Sequence, residues 1–179
     1  MLSTVNKIIY VLFVFYLIIN LSFVNLSSAY TLTDIEFINN GNKVIENPIM
    51  LLRIPKINLY NYIYDKDSIK NNIDMNIQIM KESNMPNENN GNVVLGGHSG
   101  SGPVAYFNGL VYLSIGDKII LEYFDKQYIY VVSNIYNDYK DGRITIRRDI
   151  NDTTVTLFTC NLLNKNNYLV IIGTLISIA

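Results

Sequence analysis

The chain carries one cysteine and one histidine, Cys160 and His98, and each stands where an apolar, strand-like run gives way to a polar loop. Cys160 ends Val155-Thr156-Leu157-Phe158-Thr159 and is followed by the polar stretch 161–167. His98 follows Val93-Val94-Leu95-Gly96-Gly97 and opens Ser99-Gly100-Ser101-Gly102. A thiolate is a strong nucleophile and imidazole titrates near neutrality. Together, a nucleophile and a base form the smallest useful catalytic set. Strand ends that open into loops are where a rigid scaffold exposes such groups. Taken singly, the two residues also fit a plainer reading: a small buried hydrophobe, and a histidine whose ring nitrogens are satisfied structurally.

The rest of the composition narrows the chemistry. A single cysteine excludes an internal disulfide framework, and one cysteine with one histidine gives too few soft ligands for a typical structural zinc. Asp65, Asp67 and Asp74 lack the glycine-centred spacing of a calcium loop and read as residues that cap or solvate a helix. No glycine motif of the phosphate-cradling kind occurs. The expectation is chemistry without a metal or other cofactor. Fourteen Lys and Arg against fifteen Asp and Glu give a net charge of −1. That balance supplies no cationic row to neutralise phosphates and argues against nucleic acid as a partner.

These groups need a scaffold, and 179 residues, 49% apolar and 16% charged, suit one domain with a short appendage. The appendage is N-terminal. Residues 8–19 are an unbroken apolar run that continues with polar interruptions to Leu26. Two readings fit: residues 1–29 as a cleaved signal peptide, with Ser27-Ser28-Ala29 supplying the small residues a signal peptidase needs, or an uncleaved hydrophobic anchor helix over 8–26. Both put the remainder outside the cytoplasm, anchored to the cell membrane or secreted to the cell surface, where a lone thiol reads as reactive. Residues 30–47 read as a polar linker with a turn at Asn39-Asn40-Gly41-Asn42, and residues 48–179 as the domain.

Within the domain, 49–63 is strand material bent at Pro55. Ile69, Ile73, Ile77 and Met80 recur at spacings of three and four, which predicts a helix over 68–82 capped by Asp67 or Ser68. Strands are expected at 93–97, 118–123, 128–136, 143–147, 153–159 and 169–178, separated by breakers such as Gly116-Asp117, Asp125-Lys126 and Asp141-Gly142. With the opening pair this makes about eight strands, so the fold class is mainly β, a barrel or a sandwich.

Asn92-Val93-Val94-Leu95-Gly96-Gly97-His98, then Phe107, Leu110, Leu113, Gly116 and Asp117, then Thr156-Leu157-Phe158-Thr159-Cys160, resembles the signature of the sortases, extracytoplasmic cysteine transpeptidases of Gram-positive bacteria. Leu52-Arg53-Ile54-Pro55-Lys56-Ile57 resembles their first strand. The likeness runs from near Pro48 to the C-terminus, with 62 residues (160 − 98) between the histidine and the cysteine; it does not fix the class. The resemblance implies an eight-stranded β-barrel with short helices. It also implies that Cys160 attacks the Thr–Gly bond of a Leu-Pro-x-Thr-Gly-like sorting signal, with His98 as the acid/base partner. The thioacyl intermediate then passes to an amine. The implied partners are a surface protein or pilin bearing the signal, an amine acceptor on peptidoglycan precursor or pilin, and the membrane if the N-terminal segment is retained.

One departure stands out. Sortases carry an arginine early in the strand after the cysteine, where it can stabilise the oxyanion, and here no arginine follows Cys160. The alignment puts Tyr168 in its place. Tyr168 and Thr159 are the expected oxyanion or substrate-binding positions; Lys165, Arg143, Arg147 and Arg148 are the other available donors. Two further functional readings stay open: a catalytically impaired barrel that binds sorting signals or wall components, and a hydrolytic peptidase in which water resolves the thioester.

Overall fold

The computed structural model describes residues 36–39 and 42–179; the segment read as a signal peptide or anchor lies outside the described residues. Two units are distinguished, 1–45 and 46–179. What is described of the first is a pair of short antiparallel strands, β1 (Glu36–Asn39) and β2 (Asn42–Ile45), within the stretch read as a linker.

The second unit carries β3 (Met50–Ile54), β4 (Leu59–Ile63), β5 (Gln78–Ile79), β6 (Asn92–Gly96), β7 (Lys118–Tyr123), β8 (Lys126–Tyr139), β9 (Thr154–Cys160) and β10 (Asn167–Ile178). They form one sheet in the order β4-β3-β7-β8-β10-β9-β6-β5, curled into a nearly closed, eight-stranded barrel. Two short 3-10 helices, Pro55–Ile57 and Tyr106–Tyr112, accompany it. Side chains of successive residues alternate across a strand, so Val93 and Leu95 of β6, Val155 and Leu157 of β9, and Leu169 and Ile171 of β10 meet in the interior. Each such burial is worth about 1.5–3 kcal/mol. Every pairing in this sheet is antiparallel except that of β6 with β9. Parallel neighbours end at the same edge, and this one pair therefore brings two strand ends together.

The helix expected over 68–82 does not form. Asn71 donates from its amide to the Ile79 carbonyl at 3.1 Å and accepts the Ile79 N–H at 2.7 Å. Asn72 accepts the Asp74 N–H at 2.9 Å, and the Asn76 amide donates to the Tyr62 carbonyl of β4 at 2.8 Å. Asparagine side chains that bond backbone groups compete with the helical ladder, and here they win. The periodic isoleucines divide accordingly: Ile77 is buried and Ile69 exposed. The segment yields the short strand β5 instead, and Asn76 spans the seam between β4 and the approach to β5.

The strand expected at 143–147 also differs. Its backbone finds side chains where a neighbouring strand would be. Thr145 N–H donates to Asp138 Oδ2 at 2.6 Å, Tyr136 Oη donates to the Thr145 carbonyl at 2.5 Å and accepts Arg147 N–H at 3.0 Å, and Asn134 Nδ2 donates to the Arg147 carbonyl at 3.3 Å. Asn134, Tyr136 and Asp138 are alternate residues of β8 and share one face, so they act as the rungs of a side-chain ladder. Burial pushes the Tyr136 phenol above its ordinary pKa, opposed by the Arg147 N–H it accepts. It therefore stays protonated at neutral pH and can donate. The expected total of eight strands is met with β5 in place of 143–147.

A buried polar knot fixes the start of β6 against β9. Asn92 Oδ1 accepts from the hydroxyls of Thr154 and Thr156, each at 2.9 Å, and all three residues are buried. A buried group left without its partner costs about 1–3 kcal/mol, and Asn92→Ala strips two. The variant is expected to lose about 2–4 kcal/mol in urea unfolding at an unchanged m-value; a loss below about 1 kcal/mol would show that the hydroxyls find other acceptors.

Candidate active site

The parallel register pairs Val94 with Thr156, Leu95 with Leu157 and Gly96 with Phe158. Carried two steps further, it sets Gly97 beside Thr159 and His98 beside Cys160. Three hydrogen bonds hold that extension: Gly97 N–H to the Phe158 carbonyl at 3.2 Å, Thr159 Oγ1 to the Gly97 carbonyl at 2.7 Å, and Ser99 Oγ to the Cys160 carbonyl at 2.5 Å. Alternation settles the face. Val93, Leu95, Val155 and Leu157 point inward, so Val94, His98, Phe158 and Cys160 point outward. On the other side of β9, Tyr168 of β10 is the partner of Cys160, and Asp138 of β8 the partner of Tyr168. Directly opposed antiparallel residues lie with Cα atoms about 4.5–5.5 Å apart and share a face. The outer surface thus carries a row His98, Cys160, Tyr168, Asp138.

The two glycines before the histidine have a packing reason. A Cβ on Gly96 would meet the Phe158 ring at 2.6 Å, and one on Gly97 would meet the fully buried Phe107 ring at 2.8 Å. Phe107 N–H in turn donates to the His98 carbonyl at 3.0 Å, so the chain leaving the histidine is fixed as well as the chain entering it. The imidazole stays accessible, its side chain 40% exposed. Its Nε2 stands 3.0 Å from Asp74 Oδ1, which leaves Nδ1 as the ring nitrogen not engaged by that carboxylate.

Beside the row lies a cavity of about 380 Å³ lined by Met80, Glu82, Ser83, Val94, Gly142, Arg143, Ile144, Ile146, Phe158 and Tyr168. Val94, Phe158 and Tyr168 form its floor, residues 80–83 one wall, and the segment held by the β8 ladder the other. Tyr168 packs edge-on against Phe158, ring centres 6.3 Å apart, and Lys140 Nζ lies 5.5 Å from the Tyr168 ring centre. The floor is largely apolar, each wall adds apolar side chains (Met80; Ile144 and Ile146), and Glu82 and Arg143 bring opposite charges to the two walls.

His98, Cys160 and Tyr168, singled out in the sequence, thus come together. Thr159 does not join them: its side chain is 2% exposed, and its hydroxyl is bonded to Gly97, so its contribution is to tie β6 to β9. Of the alternative donors, Arg147 pairs with Asp138 at 3.7 Å and stacks on Tyr136. Arg148 donates to the carbonyls of Asn90, Asp149 and Asp152, and Lys165 is exposed in the β9–β10 loop. Arg143 lines the cavity. Asp74 is a residue the sequence reading assigned elsewhere, to a helix. Its place beside His98 depends on the asparagine-built loop, and no local spacing signals that. Among the described residues no group of three or more His, Cys, Asp or Glu is placed to hold a metal.

Comparison with known proteins extends these observations. No curated protein matches the chain. Solved structures share the barrel. A sortase D5 transpeptidase from Clostridium perfringens is 23% identical with a TM-score of 0.61, over 79% of this chain and 83% of that one. Sortase A from Corynebacterium diphtheriae, as a lid mutant, is 20% identical with a TM-score of 0.65, over 75% and 73%. Sortase C1 from Streptococcus agalactiae is 23% identical with a TM-score of 0.61, over 73% and 68%. The Sortase domain family model matches residues 52–176. That match begins within β3, takes in β6, His98 and β9 with Cys160, and ends within β10; over that whole span the chain is a member of the sortase family.

Proposed function

We propose that the protein is a cysteine transpeptidase that cleaves a Leu-Pro-x-Thr-Gly-like sorting signal and transfers the acyl part to an amine of cell-wall precursor or pilin. The observation that supports this reading is the parallel pairing of β6 with β9, whose register continues toward His98 and Cys160, next to a groove lined by Val94 and Phe158 of the same two strands. The Cys160 thiolate attacks the scissile carbonyl carbon. The C–N bond breaks, His98 gives its proton to the leaving amine, and a thioester remains on the sulfur. The acceptor amine then attacks that thioester, loses a proton to His98, and frees the thiolate. Met80, Val94, Ile144 and Ile146 suit the apolar residues at the start of such a signal. The reaction needs no metal or other cofactor. Its setting is extracytoplasmic, at the cell membrane or cell surface, as is general for the family.

The test is a mass spectrum of the protein incubated with a sorting peptide, with and without an oligoglycine or lysine-bearing acceptor. The expected result is an adduct of the acyl fragment's mass on Cys160 that disappears into a ligated product when acceptor is added. Tyr168 in the row, where the family places an arginine, favours one rival: a barrel that binds signals without turning them over. Binding with no adduct would establish that rival. An adduct released only by water would make the protein a peptidase.

A further inference from the structure

Attack of a thiolate on an amide drives negative charge onto the carbonyl oxygen, and a donor poised at that oxygen contributes about two to three orders of magnitude in rate. The outer row offers a neutral phenol there, Tyr168. A cation has to come from another part of the chain, and three of the four arginines are committed. Arg53 pairs with Glu122, Arg147 with Asp138, and Arg148 with three backbone carbonyls. Lys140 sits over the Tyr168 ring without lining the groove. Arg143 differs. Its backbone N–H donates to Asp141 Oδ1 at 3.0 Å, its guanidinium has no hydrogen-bond or ion-pair partner among the described residues, and it lines the groove together with Tyr168 and Phe158.

The side-chain ladder fixes which end of the groove it occupies. Thr145 is bonded to Asp138, the last member of the row, while Arg147 is bonded to Tyr136 and Asn134, further back along β8. The segment therefore runs antiparallel to β8, and residue 143 comes at the end where the row stands. At the base of the loop, Lys140 N–H donates to the Asn166 carbonyl, one residue before β10. Arg143 thus shares the groove with Tyr168, the register partner of Cys160.

We propose that Arg143 is a catalytic residue that donates to the scissile carbonyl oxygen and stabilises the oxyanion formed by Cys160. The proposal rests on the acyl-transfer reading above. It is tested by steady-state kinetics on a sorting peptide with the wild type and Arg143→Ala, Arg143→Lys and Lys140→Met, each checked for an unchanged urea midpoint. Arg143→Ala is expected to lower kcat about 100-fold with KM within threefold. Arg143→Lys should fall between, because an ammonium keeps the charge but not the fork of donors. Added guanidinium ion should restore part of the Arg143→Ala rate, and Lys140→Met should stay within threefold of the wild type. If Arg143→Ala is unstable, Arg143→Lys and Arg143→Gln carry the comparison. A kcat within threefold of the wild type, a loss confined to KM, or a kcat loss relieved by neither lysine nor guanidinium overturns the proposal. Where the wild type still forms the Cys160 adduct, such a result removes the role of Arg143 alone; a wild type that forms no adduct removes the acyl-transfer reading with it.

Discussion

Cys160→Ala is expected to reduce sorting-peptide cleavage to the uncatalysed background and to abolish the thioacyl adduct. The chain holds no second thiol, and the neighbouring hydroxyls of Ser99 and Thr159 are spent on the Cys160 and Gly97 carbonyls, so neither is free to take over the attack. Covalent catalysis splits one difficult step into two easier ones, and without the sulfur both are lost together. The fold should hardly notice. Cys160 is half-buried at the end of β9, and a substitution at such a position away from the core shifts stability by about 0.5 kcal/mol or less. Loss of cleavage at an unchanged unfolding midpoint is the required pair of results. Cleavage that persists in the alanine variant would end the proposal that Cys160 is the nucleophile.

The second large effect is expected at His98. His98→Ala should lower kcat/KM by about 10²- to 10⁴-fold, the usual range for loss of a positioned acid/base. It should also slow alkylation of Cys160 by iodoacetamide at neutral pH, since the partner that stabilises the thiolate is gone. Asp74 gives the internal yardstick. Its carboxylate touches Nε2 but is 80% exposed; an exposed pair is worth about 0.2–1 kcal/mol, so Asp74→Asn should cost no more than about fivefold. A His98→Ala variant as mild as Asp74→Asn would mean that the imidazole is a bystander at the rim.

Strands that are apolar, β-branched runs bounded by turn residues were legible in the sequence: 118–123 is bounded as observed, and the ends of β6, β9 and β10 fall within one or two residues of the expected bounds. The histidine and the cysteine were legible because each ends such a run. The segment 68–82 was misleading. Its isoleucine spacing is helical, but Asn71, Asn72 and Asn76 spend their amides and carbonyls on the backbone, and periodicity carries no information about where side-chain polar groups bond. The same limit hid the ladder, in which Asn134, Tyr136 and Asp138 look like ordinary outward residues of a strand until the loop folds onto them. It also hid Asp74, which lies 24 residues from His98, and it hid the inward turn of Thr159, which follows from barrel curvature and register.

The parallel pair β6–β9 has a consequence for the order of events during folding. Its two strands are not consecutive in sequence, with β7 and β8 lying between them. Contacts this distant form late, because chain entropy must be surrendered before they give anything back. A chain in which this pairing has not formed keeps His98 and Cys160 apart. The juxtaposition of His98 and Cys160 therefore arrives only with completion of the barrel.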